Sequence, residues 1–119
     1  MRSFLSASAL LISTSLFAGQ AEISAALDAM QSPDTLLIDV RSAEEFASGA
    51  IEGAQNIDHE ALAGQISSLA PDKDTTIVLY CRSGRRSGIA LESFNQLGYT
   101  HVINAGGYEE LKDALETQD

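Results

Sequence analysis

Four short apolar runs, separated by stretches of helical pattern, constrain this chain more than any other feature. Leu36–Val40 is nearly continuous in apolar side chains, as expected of a strand covered on both faces. Thr75–Tyr80 is the strongest strand pattern, rich in β-branched and apolar residues. Ala54–Ile57 and His101–Asn104 read as two further short strands. Helical signals fill the gaps. Ser24 is placed to cap a helix over Ala25–Met30. Ser42-Ala43-Glu44-Glu45 has the spacing of a capping box, and the helix it opens should stop at Gly49. Asp58 is expected to cap a helix with Leu62, Ile66 and Leu69 on one face, closed by Pro71-Asp72. Gly84–Leu97 reads as a helix with Ile89, Leu91, Phe94 and Leu97 as core contacts, ended by Gly98. Gly106-Gly107 is expected to form a turn, and Tyr108–Leu115 a last helix. Strands alternating with helices predict βαβ units, hence an α/β fold: a small, mostly parallel sheet with helices on both faces.

The N-terminus carries a different message. Met1-Arg2-Ser3 precedes an apolar run from Phe4 to Phe17, and then Ala18-Gly19-Gln20-Ala21. A positive residue, an apolar stretch and small residues in that order describe a secretory signal peptide. The run is short for a bilayer-spanning helix and is broken by serines. Residues 1–21 are therefore expected to be removed, with cleavage after Ala18 or Ala21, leaving one domain over 22–119. The mature protein would work in the periplasm, with no membrane attachment once the signal is gone. Losing Arg2 takes the net charge from −10 to −11. That acidity argues against nucleic-acid binding, which needs a basic face. The lone cysteine, Cys81, has no partner for an internal disulfide. No Cys/His cluster has zinc-site spacing, and His59 and His101 read as solvated or core residues. An unpaired thiol in an exported protein is a candidate reactive group.

Cys81-Arg82-Ser83-Gly84-Arg85-Arg86-Ser87-Gly88 joins the best strand to the helix after it. In open α/β sheets, ligands bind beyond the carboxyl ends of the strands. Free amides at the helix N-terminus favour an anion there. Three of the six basic residues outside the signal, Arg82, Arg85 and Arg86, fall within five positions of the thiol. Arginines and a helix N-terminus both favour the thiolate. The pattern marks Cys81 as a nucleophile within an anion cradle formed by Arg82, Ser83, Gly84, Arg85, Arg86 and Ser87. At least one of the arginines is expected to pair with a carboxylate.

Spacing narrows the chemistry. Cysteine phosphatases use Cys-x5-Arg with an acid for the leaving alcohol, whereas here Arg86 gives Cys-x4-Arg and the next position is Ser87. Sulfur transfer from thiosulfate expels sulfite, a good leaving group that needs no general acid. The chain resembles the single-domain rhodaneses, thiosulfate sulfurtransferases, over nearly all of 22–119. Leu37–Arg41, Glu45-Phe46 and Gly49–Ala54 look like the family's first signature. Leu79–Ser87 looks like its active-site loop, and Leu97-Gly98-Tyr99 with Val102–Tyr108 like its closing signature. Within the family, the signal sequence and the Gly-Tyr-Thr-His-Val segment are most similar to small periplasmic members from enteric bacteria.

The resemblance implies a rhodanese-like fold and a ping-pong reaction through a Cys81 persulfide, with no other cofactor and no metal. Thiosulfate would donate, and cyanide or a thiol would accept. Arg85 or Arg86 would hold the sulfonate. Asp39, Arg41 and Glu45 of the first signature are read as structural support, with Arg41 and Glu45 expected to form an ion pair. The residue after the signature glycine is Ala50 where the family often has His, and no Trp follows the closing signature. Two other functions share these residues: a persulfide carrier that turns over poorly alone, and, disfavoured by loop length, a cysteine phosphatase. The oligomeric state has no signature in the sequence.

Overall fold

A computed structural model describes residues 21–118. The signal peptide expected over 1–21 lies outside the described residues, except for Ala21. The elements in chain order are α1 (Ile23–Met30), β1 (Leu36–Asp39), α2 (Ala43–Ser48), β2 (Gln55–Asn56), α3 (Leu62–Leu69), β3 (Ile77–Cys81), α4 (Arg85–Gln96), β4 (Val102–Gly107) and α5 (Tyr108–Glu116). The strands form one parallel sheet in the order β2-β1-β3-β4.

β3 is central and buried throughout. Its side chains alternate between two cores, as the period of a strand requires. Ile77, Leu79 and Cys81 join Ile38, Val40, Leu62, Ile66 and Phe94 on the face covered by α3 and α4. Val78 and Tyr80 join Ala26, Leu37, Ala105 and Leu111 on the face covered by α1 and α5. Helices therefore lie on both faces of the sheet, and the thiol belongs to the face on which α4 rests.

The capping box forms as the sequence predicts: Ser42 accepts from the Glu45 amide, and the Glu45 carboxylate accepts from the Ser42 amide. α2 ends at Gly49. Other boundaries shift for local reasons. Ser24 lies inside α1, which starts one residue before it. Asp58 does not cap α3: its carboxylate accepts from the Glu60 amide and its carbonyl from the Ala61 amide, closing a turn before the helix begins at Leu62. Leu69, Ile89 and Leu97 are exposed rather than in the core. The inward stripe of α4 runs through Ser87, Ala90, Leu91 and Phe94, which rotates Ile89 outward, and Leu97 lies at its C-cap. On α3, Leu62 and Ile66 fill the inward stripe and Ala70 completes it.

Gly106 and Gly107 were expected in a turn but are the end of β4. Gly107 pairs with Cys81 in register. A Cβ at Gly107 would lie 2.6 Å from the Arg82 carbonyl oxygen, so no side chain fits where the loop after β3 crosses it. Just before this crossing the ladder slips: Leu79 pairs with Asn104, but Tyr80 pairs with Gly106. Ala105 is the extra residue of a bulge beside the loop, a common position for an irregularity that re-aims side chains near a site.

Candidate active site

Cys81 ends β3 and is buried. The chain then bends so that the start of α4 faces back onto the sulfur. The Gly84 amide donates to Cys81 Sγ at 3.0 Å and the Ser87 amide at 3.4 Å. Gly84 is the N-cap of α4 and adopts φ +92°, a conformation that L side chains rarely hold. A Cβ there would also stand 3.2 Å from the Gly106 Cα. Glycine at 84 thus permits both the turn and the close approach of the loop to β4.

Burial pushes the Cys81 thiol up, because the low-dielectric surroundings disfavour a thiolate. Donation by the backbone amides of Ser87, Ser83 and Gly84 opposes this, and the thiol lies below its ordinary value. The α4 macrodipole acts in the same sense.

The arginines divide into two groups. Arg86 turns back onto α2 and grips Glu45 with both guanidinium arms, Nη1 to Oε1 at 3.0 Å and Nη2 to Oε2 at 3.2 Å. Glu45 is therefore doubly employed, as the return arm of the capping box and as the partner of Arg86. Hydrogen bonding from Arg86, then from the Ser42 amide, brings its carboxyl down to about 2. Arg82 and Arg85 are exposed and form no ion pair among the described residues. The expectation that at least one loop arginine would pair with a carboxylate is met by Arg86.

The expected Arg41–Glu45 pair does not form. Arg41 instead binds Asp39, two residues back: Nε and Nη2 reach the carboxylate at 3.0 and 2.7 Å. Nη2 also donates to the Gly49 carbonyl at 2.6 Å, and the guanidinium lies 4.5 Å from the Tyr108 ring centroid. Both partners are almost fully buried. Arg86, in the first turn of α4, occupies Glu45, and the short span from Asp39 to Arg41 favours a local pair. Asp39 and Arg41 thus brace the carboxyl edge of β1 against α2 and α5.

A family model, the rhodanese-like domain, matches residues 22–114. The chain belongs to the rhodanese-like family. It is 42 % identical over 74 residues to thiosulfate sulfurtransferase PspE of Escherichia coli, covering 62 % of this chain and 71 % of that protein. A sulfurtransferase of Allochromatium vinosum is 38 % identical over 74 residues, covering 62 % and 67 %. Among solved structures, a rhodanese with anions from E. coli superposes with TM-score 0.62 at 41 % identity, covering 64 % of this chain and 89 % of that one. Human single-domain sulfurtransferase TSTD1 superposes with TM-score 0.64 at 33 % identity, covering 82 % and 95 %.

Within this rhodanese-like domain, the loop residues read from the sequence come together as one unit: Cys81, Gly84 and Ser87 in direct contact, with Arg82 and Arg85 at the surface around them. Asp39 ends β1, Glu45 lies in α2 and is tied to the loop through Arg86, and Arg41 lies in the segment between β1 and α2. Asn104 was missed as a site residue. It is buried on β4, accepts from Ser87 Oγ at 2.7 Å and from the Gly106 amide at 2.9 Å, and donates to the Gly84 carbonyl at 3.2 Å. A buried amide within an apolar strand and before a Gly-Gly pair was the available signal, since such a group must find partners. Among the described residues no group of His, Cys, Asp and Glu could hold a metal ion.

Proposed function

We propose that this protein is a sulfurtransferase that moves sulfane sulfur from thiosulfate to a thiophilic acceptor through a persulfide on Cys81. The observation that carries the reading is the cradle itself: a thiol under two donated amides at a helix N-terminus, with Arg82 and Arg85 open beside it. The names of the relatives point the same way.

The Cys81 thiolate attacks the outer sulfur of thiosulfate. A new S–S bond forms, the sulfur–sulfur bond of thiosulfate breaks, and sulfite leaves with the electron pair. The terminal sulfur of the persulfide then carries the negative charge, the Gly84 and Ser87 amides hold the Cys81 sulfur beneath it, and no proton has to move. Cyanide or a thiolate attacks that sulfur, takes it away and returns the Cys81 thiolate. Arg85 and Arg82 hold the sulfonate end, because Arg86 is committed to Glu45. Ser83 and Ser87 line the loop, and Gly84 lets its backbone approach the anion.

Export follows from the N-terminal sequence, and the mature protein should begin at Gly19 or Glu22.

The test is thiocyanate formation from thiosulfate and cyanide by the purified protein and by Cys81→Ser. Turnover by the natural protein alone supports the enzyme. A persulfide that forms but transfers only to a protein thiol would instead identify a carrier. Release of phosphate from an aryl phosphate, without thiocyanate, would contradict both.

A further inference from the structure

The hydrogen bonds around Asn104 fix the position of one proton. The Gly106 backbone amide can only donate, and it points at Asn104 Oδ1 from 2.9 Å. The Gly84 carbonyl can only accept, and Asn104 Nδ2 lies 3.2 Å from it. These two backbone groups orient the amide without ambiguity. Ser87 Oγ, 2.7 Å from Asn104 Oδ1, must then be the donor in that contact. The same oxygen lies 3.5 Å from Cys81 Sγ. A serine hydroxyl has one proton. It goes to the nearer, carbonyl-type acceptor, and a lone pair of Oγ is left facing the sulfur.

We infer that Asn104 is a positioning residue for the Cys81 thiol: it takes the Ser87 hydroxyl proton and keeps that donor off the sulfur. The resting thiolate is then held by the Gly84 and Ser87 amides, and the hydroxyl is a donor in reserve. The Ser87 oxygen can accept from the neutral thiol, which favours the protonated form. Asn104 also ties the Gly84 carbonyl to β4, so the group that restrains the hydroxyl also sets the loop. The charged surroundings do not blur this arrangement. Arg86 interacts electrostatically with the thiol and with Asp58, and its charge is paired with Glu45. Gly107 of β4 pairs with Cys81, and the Glu110 carboxylate of α5 occupies the space where a Gly107 side chain would stand; it is common to every variant in the titration.

The experiment is a pH titration of the thiolate's ultraviolet absorbance, read against Cys81→Ser, for the natural protein, Ser87→Ala, Asn104→Ala and the double variant. It needs no sulfur donor, so it stands apart from the test of sulfur transfer. Ser87→Ala should leave the thiolate fraction below the midpoint unchanged or raised, because no donated bond is lost. Asn104→Ala should raise that fraction about three- to tenfold, as one hydrogen bond to the anion is gained. That rise should vanish in the double variant. A fall of threefold or more in Ser87→Ala would overturn the inference, because the hydroxyl would then be donating to sulfur. An Asn104→Ala effect that is absent, or equal with and without Ser87, would overturn it too. A loosened loop alone would not make the effect depend on Ser87. If thermal melting shows Asn104→Ala to be unfolded, the Ser87→Ala result decides by itself.

Discussion

At Cys81 two effects oppose each other: burial disfavours the thiolate, and donors from the start of α4 favour it. The donors prevail, so the site depends on their positions more than on its arginines. Cys81→Ser should abolish thiocyanate formation while leaving the melting temperature within a few degrees, since the volume change is small. Glu45 gives a prediction about stability. Its carboxyl sits at about 2 in the folded protein, below the usual range near 4.3 of an unfolded chain. A lowered folded value contributes stability above the unfolded value, and this is lost as pH falls toward 2. Between about pH 4.5 and 2 the natural protein should lose more stability than Glu45→Gln. Partial exposure of the pair holds the difference to about 1 kcal/mol. Urea unfolding at a series of pH values checks it. Equal slopes would show that Arg86 does not hold the carboxylate in solution.

The elements that frame the site meet at two tight places. The first is the crossing of the post-β3 loop over β4. Gly107→Ala would drive a methyl group against the Arg82 carbonyl. It should cost about 1–3 kcal/mol and displace the loop, lowering kcat/KM more than a substitution of equal cost in α3. The second is the Asp39–Arg41 brace. Asp39→Ala leaves a buried guanidinium without its carboxylate, which should cost about 3–5 kcal/mol in chemical denaturation. Sequence patterns revealed part of this framework. The capping box was legible because its two hydrogen bonds are local and fixed by residue type. The Cys81–Ser87 cradle was legible because a glycine-bearing loop between a strand and a helix has few conformations. The choice of partner among Arg41, Arg86, Asp39 and Glu45 was not. It depends on how β1, α2 and the loop sit in space, which charge and spacing alone do not encode. Asn104 stayed hidden for the same reason: its partners come from the loop and from the bulge at Ala105.

Across the whole molecule, alternating patterns were enough to predict a parallel sheet between two helical layers. Continuous apolar runs such as that of β3 are stable only when covered on both sides. The same reasoning misplaced Leu69, Ile89 and Leu97, because a helical stripe read from a sequence has no absolute rotation until the sheet beneath it is known. Charge is also arranged at this scale. A chain of net charge −10 exposes Arg82 and Arg85 in and next to the loop that follows its thiol. An anionic donor must approach through a repulsive field to a local cationic patch. Arg82→Ala/Arg85→Ala should therefore raise KM for thiosulfate at least severalfold, with a smaller effect on the step from persulfide to cyanide, and steady-state kinetics with each substrate varied will separate the two. The most direct measurement is the intact mass of the purified protein after thiosulfate, without added reductant, beside Cys81→Ala. A gain of one sulfur atom is expected in the natural protein alone, removed by cyanide. No gain from a thiol shown to be free beforehand, or an equal gain in Cys81→Ala, would contradict it.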